Sequence, residues 1–159
     1  MKKKIEDIRY FICDVDGVMT NGQFFYSSKG KVMKIFGPHD SDGLKIIREF
    51  LKIIFVTADK RGFNISKKRI VDDLGYKLFL VSENERYDFL KKMSFDKIVY
   101  MADGYHDAKL LKKSAIGIAP KSGRKEAKKN ANFITENNAA EGAVLDAAII
   151  LKTKFKFKN

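Results

Sequence analysis

Cysteine, proline, histidine and tryptophan are all scarce in this sequence. Its 159 residues include one cysteine, two prolines, two histidines and no tryptophan. The single Cys13 excludes a disulfide within the chain, and so few cysteines and histidines exclude a zinc cluster. No segment rich in proline and glycine divides the chain, so we expect one domain over residues 1–159.

Long apolar runs are also missing. No stretch is long enough to cross a bilayer, and the opening segment "MKKKIEDIRY" passes directly from basic to acidic residues. That pattern is not typical of a secretory signal, which needs an apolar stretch and a cleavage site of small residues. We therefore expect a cytoplasmic protein with no membrane partner.

Basic residues are abundant, with 32 Lys+Arg against 20 Asp+Glu and a formal charge of +12. They are spread along the chain and concentrate only in residues 121–130 and in the tail, residues 151–159. Zinc fingers, glycine-rich aromatic strands and basic zippers are absent from the sequence, so we expect no nucleic-acid partner. The charge indicates solvated helix faces and a preference for anionic substrates.

Short apolar runs alternate with amphipathic stretches. The predicted strands are residues 8–14, 51–57, 76–81, 97–102, 115–119 and 131–135. The predicted helices are residues 41–50, 63–75, 85–93, 106–114, 123–130 and 139–152. This alternation predicts an α/β fold: a doubly wound three-layer sandwich around a mainly parallel sheet.

One segment, at about residues 22–36, breaks the alternation. Two β-rich runs flank Ser27-Ser28-Lys29-Gly30, a pattern typical of a hairpin. The hairpin follows the first strand, so it should project from the carboxyl edge of the sheet. Its runs are more apolar than an exposed ribbon should be, which favours pairing between copies, and we expect a homotetramer.

The polar residues at the strand ends form a candidate site, because ligands of open α/β sheets bind at the carboxyl edge. Strand one ends in Asp14 and Asp16, strand two in Thr57, and strand four in Asp103. Arg86 follows strand three. Asp14 and Asp103 can supply carboxylate ligands to Mg²⁺. Asp14 can attack phosphorus, while Asp16 protonates the leaving alkoxide and later activates water.

The phosphoryl oxygens need donors of their own. We assign this role to Thr57, to the backbone after it at Ala58, and to Arg86. Each residue also has a structural reading: D-x-D-G can be only a turn, Thr57 a cap, Arg86 a solvated side chain, and Asp107 a first-turn aspartate. The order of these residues at successive strand ends favours the functional reading.

The segments "DVDGVMTNG", "FVTADK" and "MADGYHD" resemble the motifs of the haloacid dehalogenase-like phosphatase superfamily. Together with "DSDGLKII" and "AEGAV" they are similar to its branch without a cap domain. That branch contains phosphatases of 3-deoxy-octulosonate and nonulosonate phosphates, and phosphatase-like domains attached to some acylneuraminate cytidylyltransferases. The spacing agrees, because the chain between the motifs has no room for a cap.

The resemblance implies a Mg²⁺-dependent phosphatase for a small sugar or sugar-acid phosphate, active in surface glycan synthesis as a homotetramer. It implies that Asp14 is the nucleophile and Asp16 the acid/base. It further implies Mg²⁺ ligands from Asp14, the carbonyl of Asp16 and Asp103, with Asp107 in support and Thr57 on the phosphate.

The chain departs from the family pattern at three points. Arg86 stands where lysine is usual, Gly104 where the sugar-acid phosphatases often carry aspartate, and Thr57-Ala58-Asp59 where Thr-Gly-Arg is usual. The last change bears on specificity, and we assign Lys60 and Asp42 as further substrate contacts.

Two alternatives remain open on the sequence. A signalling receiver domain shares the α/β pattern, but its acceptor aspartate belongs to the third strand, and residues 76–86 offer none. A catalytically weak or silent phosphatase-like module, associated with a cytidylyltransferase or another glycan enzyme, would keep the same fold. The intact set of Asp14, Asp16 and Asp103 favours an active enzyme.

Overall fold

The structure is a computed structural model and describes residues 5–155 and 157. In these residues the strands are β1 Tyr10–Asp14, β2 Thr20–Ser27, β3 Gly30–Phe36, β4 Lys52–Thr57, β5 Lys77–Leu80, β6 Ile98–Met101, β7 Ile116–Ala119 and β8 Phe133–Ile134. The helices are α1 His39–Ile47, α2 Phe63–Lys67, α3 Glu83–Lys92, α4 Ala108–Lys113, α5 Lys125–Asn130 and α6 Ala143–Phe155. Helix α2 continues into a π-helical segment, Lys68–Asp73.

Six strands form one parallel sheet in the order β5-β4-β1-β6-β7-β8. The predicted doubly wound α/β fold with a mainly parallel sheet is confirmed, and every predicted strand contributes to it. Strand β1 lies between β4 and β6, so the chain leaves β1 toward one edge and later crosses to the other. A crevice forms at such a switch point, beyond the carboxyl ends of the strands.

The two faces of β1 explain why its sequence is continuously apolar. Phe11 and Cys13 pack into the core that contains residues of α1 and α6. Ile12 packs into the opposite core, with residues of α3, α4 and α5. All three side chains are fully buried. Strands covered on both sides lose the polar–apolar alternation of half-exposed strands.

The predicted hairpin is present as the antiparallel pair β2–β3, and it begins at Thr20, earlier than predicted. Its outward side chains are apolar: Phe25 is 53% exposed and Met33 54%. Lys34 is the one buried residue of β3. The usual arrangement is therefore reversed, with a charged side chain facing the body and apolar ones facing outward.

No helix within residues 5–155 has the length and apolarity to cross a membrane. At the C-terminal end Phe157 stacks on Phe50 with ring centroids 5.1 Å apart, and Phe155 packs against the same core. Lys156, Lys158 and Asn159 of the predicted basic tail lie outside the described residues.

Candidate active site

A cavity of about 360 Å³ lies beyond the carboxyl end of β1. Its walls include the predicted residues Asp14, Asp16, Thr57, Ala58, Arg86, Asp103 and Asp107. These residues come from β1, β4, α3 and the loop after β6, and they meet because parallel strands end at the same edge. The sequence prediction that these seven residues lie together agrees with this geometry.

The turn after β1 allows the strands to present their carboxylates side by side. Gly17 has a φ of +86°, a conformation that other residues rarely adopt. A Cβ at this position would overlap the carboxylate of Asp103. The glycine therefore serves both the turn and the close approach of Asp103 to the loop that carries Asp16.

Arg86 reaches the site from the first turn of α3. The helix begins with a capping box in which Ser82 and Glu85 bond each other's backbone amides, which fixes the helix start. The guanidinium Nη1 lies 3.3 Å from Oδ1 of Asp14 and 3.0 Å from Oδ1 of Asp107. With only 3% of its surface exposed, Arg86 is a buried cation and not the solvated helix residue of the structural reading.

Tyr100 completes this group from β6. Its hydroxyl donates to Oδ1 of Asp107 at 2.5 Å and accepts a longer bond, 3.4 Å, from Nη1 of Arg86. Asp107 precedes α4 but makes no capping bond, because its carboxylate is turned to Arg86 and Tyr100. We define the carboxylate cluster as Arg86, Tyr100, Asp107, Asp14 and Asp103.

Burial dominates the electrostatics of the carboxylate cluster. It raises the pKa of Asp14 well above its usual value; Arg86 opposes the shift, and the neighbouring aspartates add to it. Burial, followed by repulsion from Asp107, raises the pKa of Asp103 to about 6. Burial lowers the pKa of Arg86, but Asp14 and its neighbours outweigh that effect and raise it, so the guanidinium stays charged.

Asp16 lies on the other side of Asp14, within reach of β4. The hydroxyl of Thr57 donates to Oδ2 of Asp16 at 3.1 Å and accepts from the backbone N–H of Asp59 at 3.1 Å. Thr57 thus holds the carboxylate of Asp16 and the loop after β4 together. The cap-like bond that a structural reading assigns to Thr57 is present alongside its contact to the site.

Sequence reasoning missed the cations that face Asp16 from the hairpin. Nζ of Lys34 lies 2.7 Å from Oδ1 of Asp16 and 2.8 Å from Oδ2 of Asp59, and it donates to Oγ of Ser66 at 2.9 Å. Lys31 pairs with Oδ2 of Asp59 at 2.5 Å. We call Asp16, Lys31, Lys34, Asp59 and Ser66 the hairpin cluster.

The lysines of the hairpin cluster also change the pKa of Asp59. Burial acts to raise the pKa of Asp59, but the hydrogen bonds from Lys31 and Lys34 outweigh it and lower the pKa to about 2. The signal available in the sequence was Lys34, a charged residue between the apolar Met33 and Ile35 of β3.

Two predicted substrate contacts do not line this cavity. Lys60 is exposed in the turn after β4, where Asp59 is the residue that faces the cavity. Asp42 lies on the exposed side of α1 and pairs with Lys45 at 2.9 Å, because Gly43 and Leu44 take the buried side of the helix. Neither side chain lines the cavity that contains the carboxylates of Asp14, Asp16 and Asp103.

The donor set fits a hard divalent cation. No three side chains of His, Cys, Asp or Glu in the described residues are arranged as a metal cluster. Mg²⁺ needs fewer protein ligands, since it binds through one or two carboxylates and keeps several waters. Asp14 and Asp103 meet that requirement. Burial first, and repulsion from neighbouring aspartates after it, raises the pKa of each, and a cation would stabilise the ionised forms.

Comparison with known proteins shows which families and proteins this chain resembles. The sequence profile of the haloacid dehalogenase-like hydrolase family matches residues 85–147. A 3-deoxy-D-manno-octulosonate 8-phosphate phosphatase of Haemophilus influenzae is 33% identical over 109 residues, which cover 65% of this chain and 59% of that protein. The aligned part therefore spans less than two thirds of this curated relative.

Solved structures share the fold over nearly the whole chain. The cobalt-bound form of the phosphatase from Haemophilus influenzae has a TM-score of 0.79 and 24% identity, covering 96% of this chain and 92% of that one. The Moraxella catarrhalis phosphatase, solved with magnesium, phosphate and its sugar acid, has a TM-score of 0.77 and 22% identity, covering 98% and 92%. The sheet order and these matches agree: the chain has the fold of these phosphatases, and its residues 85–147 are similar to haloacid dehalogenase-like hydrolases.

Proposed function

We propose that this chain is a Mg²⁺-dependent phosphatase that hydrolyses a small sugar or sugar-acid phosphate through an aspartyl-phosphate on Asp14. The observation that supports it most directly is one cavity in which Asp14, Asp16 and Arg86 meet. A buried carboxylate, an acid/base group beside it and a buried cation are the groups that two-step phosphoryl transfer requires.

In the first step, a carboxylate oxygen of Asp14 attacks phosphorus and the bond to the sugar oxygen breaks. Asp16, protonated, gives its proton to the leaving alkoxide. Arg86 lies against Asp14 and Asp107, where its positive charge can stabilise the negative charge on the phosphoryl oxygens. Thr57 and the backbone at Ala58 line the same wall of the cavity.

In the second step, water attacks phosphorus of the aspartyl-phosphate and gives a proton to the carboxylate of Asp16. The bond between phosphorus and Asp14 breaks, which frees the Asp14 carboxylate and releases inorganic phosphate. Asp16 is then protonated again, ready for the next substrate, so each turnover consumes one ester and one water.

Asp14, Asp103 and the backbone carbonyl of Asp16 are the residues that would hold Mg²⁺, with Asp107 fixed behind them by Arg86 and Tyr100. The ion supplies positive charge that stabilises the phosphoryl oxygens. The proposed preference for Mg²⁺ draws support from the magnesium-containing Moraxella structure.

For the substrate we propose a sugar-acid phosphate of the 3-deoxy-octulosonate or nonulosonate type, used in surface glycan synthesis. The curated relative from Haemophilus influenzae carries the former activity in its name. In this chain the wall beyond Asp16 offers an aromatic face, Phe24, and the paired charges of Lys31 and Asp59. Such a wall suits a polyol, which presents both C–H faces and hydroxyl groups.

We further propose that the hairpins of four copies pair around a symmetry axis. The apolar outer face supports this, since Phe25 and Met33 are cross-strand partners and each is more than half exposed. A variant with both changed to aspartate, Phe25→Asp with Met33→Asp, should be monomeric in light scattering. Phe36 is unsuitable for this test because it packs against the core. A wild-type protein that is monomeric and fully active would contradict the tetramer.

A screen of sugar phosphates, with Mg²⁺ and with excess chelator, tests the function as a whole. We expect phosphate release from a sugar-acid phosphate that depends on added Mg²⁺, with poor substitution by Ca²⁺ because that ion prefers higher coordination. Full activity in chelator, or no release from any phosphate ester, would contradict the proposal.

A further inference from the structure

The buried ammonium of Lys34 joins four elements of the fold at one point. Its side chain, on β3, is fully buried. It contacts Asp16 in the turn after β1, Asp59 in the loop after β4, and Ser66 in α2. A lysine has three N–H donors, and three partners surround it, so its hydrogen-bonding capacity is met.

A buried cation is costly unless charged partners offset the loss of hydration, and truncating it leaves those partners unpaired. Here the partners are two carboxylates that both lie within 2.8 Å of Nζ. Without Lys34, Asp59 would keep Lys31 as its partner, but no cation would contact the carboxylate of Asp16 or separate it from Asp59. Asp16 would then move away from Asp59, because its side chain is 30% exposed and free to turn toward solvent.

The groups around Asp16 on this side are all donors. Lys34 donates to its carboxylate and Thr57 donates to Oδ2. These contacts fix the orientation of the carboxylate, since an ammonium and a hydroxyl from separate elements hold it.

We propose that Lys34 is a positioning residue that holds the carboxylate of Asp16 in place for activating the water that hydrolyses the aspartyl-phosphate. This inference rests on the proposed function, because it assigns a role within that reaction. Ser66 accepts a hydrogen bond from the ammonium, and Asp59 is its second carboxylate partner. The hairpin thereby contributes to catalysis within its own chain, separately from any contact between copies.

The test compares Lys34→Met with wild type on p-nitrophenyl phosphate, whose good leaving group needs no protonation in the first step. Misplacing a reacting group by about 1 Å can cost on the order of 10²-fold. We expect kcat to fall by roughly 10–100-fold, while kcat/KM stays close to wild type. Acid-quenched samples should contain more phosphorylated enzyme in the steady state, because its hydrolysis has become the slow step.

Two further variants sharpen the test. Adding Asp59→Asn to Lys34→Met removes the repelling charge and should recover part of the lost kcat. Lys29→Met, the same change at the exposed turn of the hairpin, is the matched control and should behave as wild type. Ser66→Ala keeps the ammonium but removes one anchor, so it should show a smaller fall in kcat of the same kind, and it decides the question if Lys34→Met does not fold.

The outcomes separate the inference from the function. If kcat and kcat/KM fall together in Lys34→Met and Ser66→Ala, with no rise in phosphorylated enzyme, Lys34 is only structural and the inference is wrong while the phosphatase stands. If wild type forms no phosphorylated enzyme and releases no phosphate, the proposed function fails and the inference with it.

Discussion

The carboxylate cluster contains Asp14 and the hairpin cluster contains Asp16, two residues further along the chain. The two clusters are built differently. The first is assembled by strand ends and by helices that cover the sheet, and its aspartates outnumber its single cation, Arg86. The second is assembled by a hairpin outside that sheet, and its two lysines match its two aspartates. The first cluster therefore has unbalanced negative charge that a cation would offset, whereas the charges of the second already balance and suit it to holding a side chain in place.

The largest expected difference is between Asp14, the proposed nucleophile, and an aspartate outside the site. Asp14→Asn keeps size and hydrogen bonding but removes the attacking charge, so turnover should fall by at least roughly 10⁴-fold with the fold intact. Asp96→Asn, an exposed position, is the control. Steady-state kinetics measure the effect, and circular dichroism confirms the fold. Near-normal turnover in Asp14→Asn would remove the aspartyl-phosphate from the mechanism.

The next largest expected difference is in the free energy of unfolding, between a buried arginine and an exposed one. Arg86→Met leaves Asp14 and Asp107 buried without their cation, which should cost about 3–5 kcal/mol of unfolding free energy. Arg124→Met should change it by less than about 1 kcal/mol, since that side chain is 71% exposed. Urea unfolding in chelator measures both. Equal losses of unfolding free energy in the two variants would mean that the buried ion pairs of Arg86 stabilise the protein no more than an exposed pair does.

The two clusters should respond to pH with opposite signs. The pKa of Asp103 is raised from 3.8 to about 6, so its ionisation destabilises the native state as pH rises through 4 to 6. The pKa of Asp59 is lowered from 3.8 to about 2, so its pairing stabilises the native state above pH 4, and that stability is lost as pH falls toward 2.

Unfolding free energies of Asp103→Asn and Asp59→Asn in chelator measure these signs. Relative to wild type, Asp103→Asn should be more stable above pH 6, and Asp59→Asn less stable above pH 4, each by roughly 2 kcal/mol. Both differences should vanish at low pH, where the native aspartate is protonated. Shifts of the same sign for the two variants would contradict the contrast between the clusters.

The smallest effect concerns Tyr100. Tyr100→Phe removes the hydroxyl that donates to Asp107, but Arg86 still pairs with that carboxylate, so the loss should be about 1 kcal/mol. Tyr105→Phe is the control, since Tyr105 is 63% exposed. Thermal unfolding of the two variants measures the difference, and no difference would mean that Arg86 alone satisfies Asp107.

The aspartates of the carboxylate cluster could be predicted from sequence, whereas Tyr100 and the lysines of the hairpin cluster were missed, for a physical reason. Asp14 and Asp103 lie at the ends of apolar strands, and the ends of parallel strands meet wherever the sheet forms. Lys34 reaches Asp16 only because β3 packs against α2 and the loop after β4, and no local pattern encodes that long-range contact. The same limit misled the assignment of Lys60, since the turn after β4 presents Asp59 instead.

The contacts of Lys34 make the temperature dependence of turnover follow the local stability of the β2–β3 hairpin. Strands β2 and β3 form their own two-stranded sheet, and an isolated sheet of that size is only marginally stable in water. Elements of low local stability open before the whole molecule unfolds. When the hairpin lifts, Asp16 loses its ammonium partner although the parallel sheet is still intact. We therefore expect heating to lower turnover before the helical signal of the protein disappears.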